Sequence, residues 1–357
     1  MGFPILRLPY LAFENVYQHL DVADIILLAQ CSQRMKDPLR SQATSKRDRK
    51  ISLCIFHGHS AIRIITGEYT NEFTWHLESE KYSKPEDNKE VISEDESSVT
   101  WKDEGPDSTW KSALKKEYYE VKLLSVINLL RELFNCRFSN VYFCPQESAQ
   151  KLLFETDVLH RADSIRINPG EYSPKEIDFM LDNFVTDNLT FIVDGGPDYS
   201  YQKPLNSPIL YYYYARWINM EILLDMVKTK RVVGLEHVSL ITDKDLNQLI
   251  KWWLNSDNKI LKFLYIGRQR HDQAVLMKGI PSIPGREKQE DIVPNTMMGF
   301  HYENGRDIRR KDGMLATVLV QHGFFVLAIW HHPNPNVEES DDEEVSIDEE
   351  DEESSDN

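Results

Sequence analysis

A few groups of residues have the types that do chemistry, and their spacing decides what each can do. His57-Gly-His59 and His331-His332 supply imidazoles, which hold a transition metal when a second ligand pair stands at a recognisable spacing. Neither has such a pair, so both read as surface or core histidines. Cys31, Cys54, Cys136 and Cys144 show no CxxC spacing, which points to free thiols in a reducing compartment. Cys136 and Cys144, on either side of a predicted helix-to-strand junction, read as two small buried hydrophobes. Gly195-Gly196-Pro197 follows a predicted strand but lacks the lysine and the GxGxxG pattern of a phosphate cradle, so it reads as a turn. No Ser-His-Asp set, catalytic cysteine or carboxylate pair stands in a persuasive context. The expectation is therefore a chain with no cofactor, no metal and no enzymatic activity of its own.

The remaining candidates concern binding. Tyr211 to Tyr214 read as a half-buried segment leading into a helix around Trp217 rather than as a stacking platform. Arg306, Arg309, Arg310 and Lys311 form a basic cluster that either meets an acidic partner or docks the chain's own acidic tail. Lys46-Arg-Asp-Arg-Lys50 reads as a solvated linker, with a nuclear import signal as the alternative. The net charge of -17 is misleading, because thirteen of the acids lie between Glu338 and Asn357, and without them -17 becomes -4. A nucleic-acid partner is disfavoured, since phosphate neutralisation needs a concentrated basic face. Apolar runs such as Gly323 to Trp330 are far shorter than the ~20 residues that span a bilayer, so no membrane partner is expected and the localisation reads as cytoplasmic, nuclear or both.

These groups must be positioned by folded elements, and an apolar content of 41% with 11% aromatics is enough to build them. The apolar residues Phe13, Val16, Tyr17 and Leu20 recur at helical spacing, and Ile25, Leu28 and Ala29 continue the stripe on a second helix that Asp21 can cap and that Pro38 limits. Residues 3–42 thus read as a short helical module. A small β element follows over 50–78. Residues 79–108 are so polar and charged that they read as a disordered insertion.

From Trp110 a helix followed by a short strand recurs. The predicted strands are Asn140 to Phe143, Ser164 to Ile167, Leu189 to Val193, Leu235 to Ile241 and Leu261 to Ile266. Their centres lie about 25 residues apart, apart from one gap of nearly twice that, which is the period of leucine-rich repeats. Two predicted helices superpose in register: Ser173-Pro-Lys-Glu176 and Thr242-Asp-Lys-Asp245 are capping patterns, and Ile177, Met180, Leu181 and Phe184 then match Leu246, Leu249, Ile250 and Trp253. Such units bury their apolar faces only by stacking. The runs Met314 to Val320 and Phe324 to Trp330, preceded by the turn at Asp312-Gly313, predict a closing β-hairpin. The fold class is therefore mixed α/β, with the array over 110–332. A disordered acidic tail occupies 333–357, where Ser340 and Ser346 each have an acid three residues downstream, an acidophilic kinase pattern.

The N-terminal module resembles an F-box: Leu8-Pro9, Val16, Leu20, Asp24-Ile25-Ile26, Leu28 and Ser32 with Arg34 follow its pattern, with Gln33 where lysine is usual, Met35 where an aromatic is usual, Cys31 for an aliphatic residue, and no acid just after Leu-Pro. From Trp110 to about Trp330, including the segment DKDLNQLIKWW from Asp243 and the stretch Gly305 to Gly313, the chain is similar to the type 2 F-box-associated domain that accompanies F-boxes in a large nematode family. The resemblance implies a substrate receptor of a Skp-cullin-F-box ubiquitin ligase. Leu8, Pro9, Val16, Leu20, Ile25 and Leu28 would contact the Skp-type adaptor and through it a cullin. The strand face of the array and the loop Arg268-Gln-Arg-His271 would capture an unknown target protein. The alternative is a repeat-based interaction scaffold with no link to ubiquitination.

Overall fold

Strict alternation of apolar residues in Ile51, Leu53 and Ile55, and in Phe73, Trp75 and Leu77, sends those side chains to one face of a sheet, where all are buried. The computed structural model describes residues 8–43, 49–56, 59–66, 70–79, 91–94, 98–103, 109–135, 137–144, 159–285, 302–321 and 323–330. The N-terminal module is α1 (Tyr10–His19), α2 (Val22–Cys31) and α3 (Gln33–Ala43), followed by β1 (Arg49–Phe56), β2 (His59–Thr66), β3 (Thr70–Ser79), β4 (Val91–Glu94), β5 (Ser98–Asp103) and β6 (Thr109–Leu114). Then come α4 (Tyr119–Phe134), β7 (Phe138–Phe143), β8 (Arg161–Ile167), α5 (Pro174–Asn183), β9 (Val185–Phe191), β10 (Ile209–Tyr212), α6 (Met220–Thr229) and β11 (Val232–Leu235). The chain continues through α7 (Asp243–Asn255), β12 (Phe263–Gly267), α8 (Gln273–Met277), β13 (Ile283–Pro284), β14 (Arg306–Arg309), β15 (Leu315–Gln321) and β16 (Phe324–Trp330).

Among the described residues all sixteen strands join one sheet, in the order β13-β14-β15-β16-β12-β11-β10-β9-β8-β7-β1-β2-β3-β6-β5-β4. The run from β7 to β12 is parallel, each strand beside its predecessor in sequence, and β1 adds to it in parallel through pairs such as Leu53 with Val141. Parallel neighbours need crossover connections, and α5, α6 and α7 supply three of them. Their apolar stripes, including Ile177 and Met180 on α5, Leu223 and Val227 on α6, and Leu246, Leu249, Ile250 and Trp253 on α7, are buried against the sheet. Both predicted capping boxes form: Ser173 and Glu176 satisfy each other's backbone amides, as do Thr242 and Asp245. At the other end β16 pairs antiparallel with both β12 and β15, so the predicted hairpin does extend the sheet.

Three expectations are corrected. The doubled gap in the strand spacing is filled by β10, so Tyr211 and Tyr212 are strand residues and not a lead-in to a helix. Between β9 and β10 a loop does a helix's work: Tyr199, Tyr201 and Leu205 are buried there, and Trp217, from the segment that follows β10, packs edge-on to Tyr199 at 6.1 Å and to Tyr212 at 5.7 Å. Tyr211 lies over Gly234 so closely that a Cβ at that glycine would sit 2.3 Å from the ring.

The charged stretch 79–108, expected to be disordered, contains β4 and β5. Apolar content understated it, because β5 is tied inward by a polar residue: Thr100 is buried 2.7 Å from Ser112 of β6, whose Oγ also accepts from Trp75 Nε1 of β3 at 2.9 Å, while Ile92 of β4 packs on the core. Finally, Pro38 lies inside a third helix, which continues because Met35 and Leu39 bury their side chains and α3 packs on α4.

Lys230, at the end of α6, is only 2% exposed and donates to the carbonyls of Leu205 and Ser207, the latter at 3.0 Å. Burial holds its ammonium down to about 8, against about 10.4 in an unfolded chain. Between those values the unfolded chain keeps a proton that the folded one has lost, so Lys230 makes stability rise with pH. Below pH 8 its cost is fully present. Lys230→Met is expected to remove about 1–2 kcal/mol of that rise, seen as a smaller difference in urea midpoints between pH 7 and pH 10 than in the parent.

Candidate protein-binding surface

The N-terminal helices divide their apolar residues between the chain's own core and the surface. Phe13 and Tyr17 on α1, and Val22, Ile25, Ile26 and Ala29 on α2, are buried, with α2 and α3 packed on α4 and α2 also on β3. Arg49 ties this module to the sheet by donating to Tyr17 Oη at 3.3 Å and lying 5.1 Å over the Phe134 ring. The solvated-linker expectation therefore fails at Arg49, which is buried, while Lys50 pairs with Asp163 at 3.5 Å. Lys46 to Asp48 lie outside the described residues.

Of the six residues expected to meet an adaptor, Leu8, Val16, Leu20 and Leu28 are half-buried and Pro9 is exposed. Ile25 is completely buried and is a core residue, so it leaves the candidate set. Tyr10 and Leu11, which the pattern did not single out, are 63% and 73% exposed beside Leu8 and Pro9. Apolar side chains this exposed at one end of a helical module suit a partner's groove.

A second surface forms at the carboxyl ends of β10, β11 and β12, where open α/β sheets place their binding loops. Tyr214 stacks on His237 with ring centroids 5.3 Å apart and planes 12° apart, and Tyr213, 40% exposed, meets both edge-on. Arg216 lies 5.8 Å over the Tyr214 ring and pairs with Asp194 at 3.3 Å. Leu240 is 55% exposed in the next loop. The tetrapeptide at 211–214 is thus split: two residues belong to a strand, and the next two begin an aromatic platform that becomes visible only once His237 is brought across from the following loop. Gly195 and Gly196 make the predicted turn, with Gly196 at φ +88° and its amide donating to Asp194 Oδ1 at 2.9 Å.

The loop at Arg268 to His271 is held from behind by Asp243, the first residue of α7. Asp243 is 8% exposed, lies 2.8 Å from His271 Nδ1, accepts from the Asp272 amide at 2.8 Å and pairs with Arg268 at 3.4 Å. Arg268 also donates to the Ile241 carbonyl at 2.7 Å. Arg268 and His271 are therefore fasteners, and Gln269 and Arg270 are the members of this loop turned to solvent.

Residues 202–266 match the family model described as F-box associated. No curated protein and no solved structure matches the chain. The matched segment covers β10, α6, β11, α7 and most of β12, and so contains the platform at Tyr213, Tyr214, Arg216 and His237 together with the Asp243 fastening.

The sheet face away from the helices is open over β1, β2, β3, β7 and β8, where Ser52, Arg63, Thr74, Asn140 and Arg166 line a recess of about 780 Å³. Burial pushes the thiol of Cys54, on its floor, upward, which makes it a poor nucleophile. Cys144 is half-buried, not fully buried as expected, and accepts from Asn168 Nδ2 at 2.8 Å; Cys136 is outside the described residues. Toward the other end the same face is apolar and covered: Tyr302 packs edge-on to Trp330 at 5.2 Å over Phe263, Val326 and Leu319.

The basic cluster at 306–311 also divides. Arg306, Arg309 and Lys311 are exposed, whereas Arg310 is buried, lies 5.2 Å over Trp253 and pairs with Asp312 at 2.6 Å. His331-His332 and the acidic tail with Ser340 and Ser346 lie outside the described residues. No helix among the described residues is long and apolar enough to cross a membrane.

Proposed function

We propose that this chain is the substrate-recognition subunit of a Skp-cullin-F-box type ubiquitin ligase, working in the cytoplasm, the nucleus or both. In this reading the helices α1 to α3 are an F-box that docks on a Skp-type adaptor. The array, of leucine-rich-repeat type, captures a target protein with the aromatic platform and the loop carrying Arg270. The observation that carries the reading is the F-box-associated match at 202–266 in a chain whose N-terminal helices expose Tyr10 and Leu11 beside Leu8 and Pro9. The chain itself makes and breaks no bond; holding a target beside a loaded carrier enzyme raises its effective concentration, and that proximity is the gain.

Co-purification of the full chain with a Skp-type adaptor tests this. Leu8→Ala combined with Pro9→Ala is expected to weaken the complex by about 2–3 kcal/mol, enough to lose it on gel filtration, with little change in melting temperature because these residues are half-buried or exposed. Recovery of the adaptor by the double variant at the parent's level would overturn the assignment. A parent chain that forms no adaptor complex at all favours the scaffold reading instead.

A further inference from the structure

The open sheet face holds a group of side chains that the capture reading does not use. His59 on β2 is in register with Glu78 on β3, and His76, two residues before Glu78, projects to the same face. His59 Nε2 and His76 Nδ1 are 3.0 Å apart, and the ligand atoms of His59, His76 and Glu78 all lie within 4.8 Å of one another. All three residues are half-buried. Phe56, at the end of β1, holds the His59 ring edge-on at 6.0 Å.

We propose that His59, His76 and Glu78 form a binding site for one divalent transition-metal ion of the zinc class. Two imidazoles and one carboxylate are the ligand set such ions favour over magnesium or calcium. In a tetrahedral site with ligands about 2.0–2.1 Å from the metal, neighbouring ligand atoms are roughly 3.3 Å apart. The two facing nitrogens need separate by only a few tenths of an ångström to reach that spacing.

In the metal-free pair one of the two nitrogens carries the shared hydrogen. Metal binding shifts that hydrogen to the far nitrogen of the same ring, a change of tautomer that releases no proton. Burial, and then the nearby His59, push the pKa of His76 down, so it stays neutral and ready to ligate. Three protein ligands leave a fourth position for water or for a side chain of a bound partner. Lys111 on β6, in register with His76, and Arg63 on β2 bring positive charge toward the site, and Glu78 opposes it.

The test uses the full chain, stripped with a chelator and titrated with Zn²⁺ by calorimetry and with Co²⁺ by visible absorption. The expected result is uptake of one equivalent, with a cobalt d–d spectrum of low coordination number and no thiolate charge-transfer band. His76→Ala is expected to lower affinity on the order of 100-fold or more, and Glu78→Gln about tenfold. Melting curves without metal identify a variant that has failed to fold; Glu78→Gln, on the open face, is the control that stays folded. Absence of a saturable equivalent overturns the site. So does a thiolate band, uptake unchanged in both variants, or weak uptake of several equivalents attributable to the acids of residues 338–357.

Discussion

Trp253→Ala is expected to destabilise the protein by about 3–5 kcal/mol, measured by urea unfolding, because it empties the centre of the array. The side chain is completely buried on α7, in the stripe with Leu246, Leu249 and Ile250. It also floors the buried Arg310, whose guanidinium lies 5.2 Å over the indole, donates to the Asn258 carbonyl at 2.8 Å and holds the Asp312 carboxyl down to about 2. Truncation thus removes both the packed volume and the cation's aromatic partner. Among the described residues the indole N–H has no hydrogen-bond partner, so Trp253→Phe gives up only volume and is expected to cost less than half as much. A loss below 1 kcal/mol for Trp253→Ala would show that this helix is not seated as described.

Asp243→Ala is expected to cost a similar 3–5 kcal/mol, by a different route. Asp243 is one carboxylate serving Arg268, His271 and the Asp272 amide, with only a tenth of its side chain exposed. Its removal takes the carboxylate partner from a fully buried histidine ring and from a partly buried arginine that keeps the Ile241 carbonyl, and leaves the Asp272 amide without its acceptor; lost partners of buried polar groups are where the free-energy loss lies. Hydrogen exchange should then rise first in residues 268–272, the loop that carries Arg270. Asp243→Asn keeps an acceptor and is expected to lose less than half as much. Unchanged protection of that loop in Asp243→Ala would rule out the fastening role.

The two variants also separate the layers of the proposed function. Trp253 acts through the fold, so its loss should weaken adaptor and target binding together only as the chain unfolds. Asp243 acts on one loop, so its loss should spare the adaptor contact at Leu8 and Pro9.

How much was legible in the sequence follows from the range of each signal. The two capping boxes, the apolar stripes of α5 and α7, the turn at Gly195-Gly196 and the closing hairpin depend on residues within one or two turns of each other, and the sequence alone determined them. Of the stretch from 110 to 332 read as similar to an F-box-associated domain, residues 202–266 match that family model. What only the tertiary structure decided is which segments are neighbours. Nothing local states that β1 joins β7 in parallel, that polar β5 is ordered by Thr100 and Ser112 bonding under Trp75, or that β10 fills the long gap. Periodicity identifies a helix's apolar stripe but not what covers it, so Ile25 looked like Leu28 until α4 and β3 were found packed against α2. His59 likewise looked to have no further ligand beyond the neighbouring His57, because His76 is seventeen residues away and is brought within 3.0 Å only by the register of an antiparallel pair. Hydrogen-bond pairing across a sheet is a non-local choice, made by the packing of the whole array.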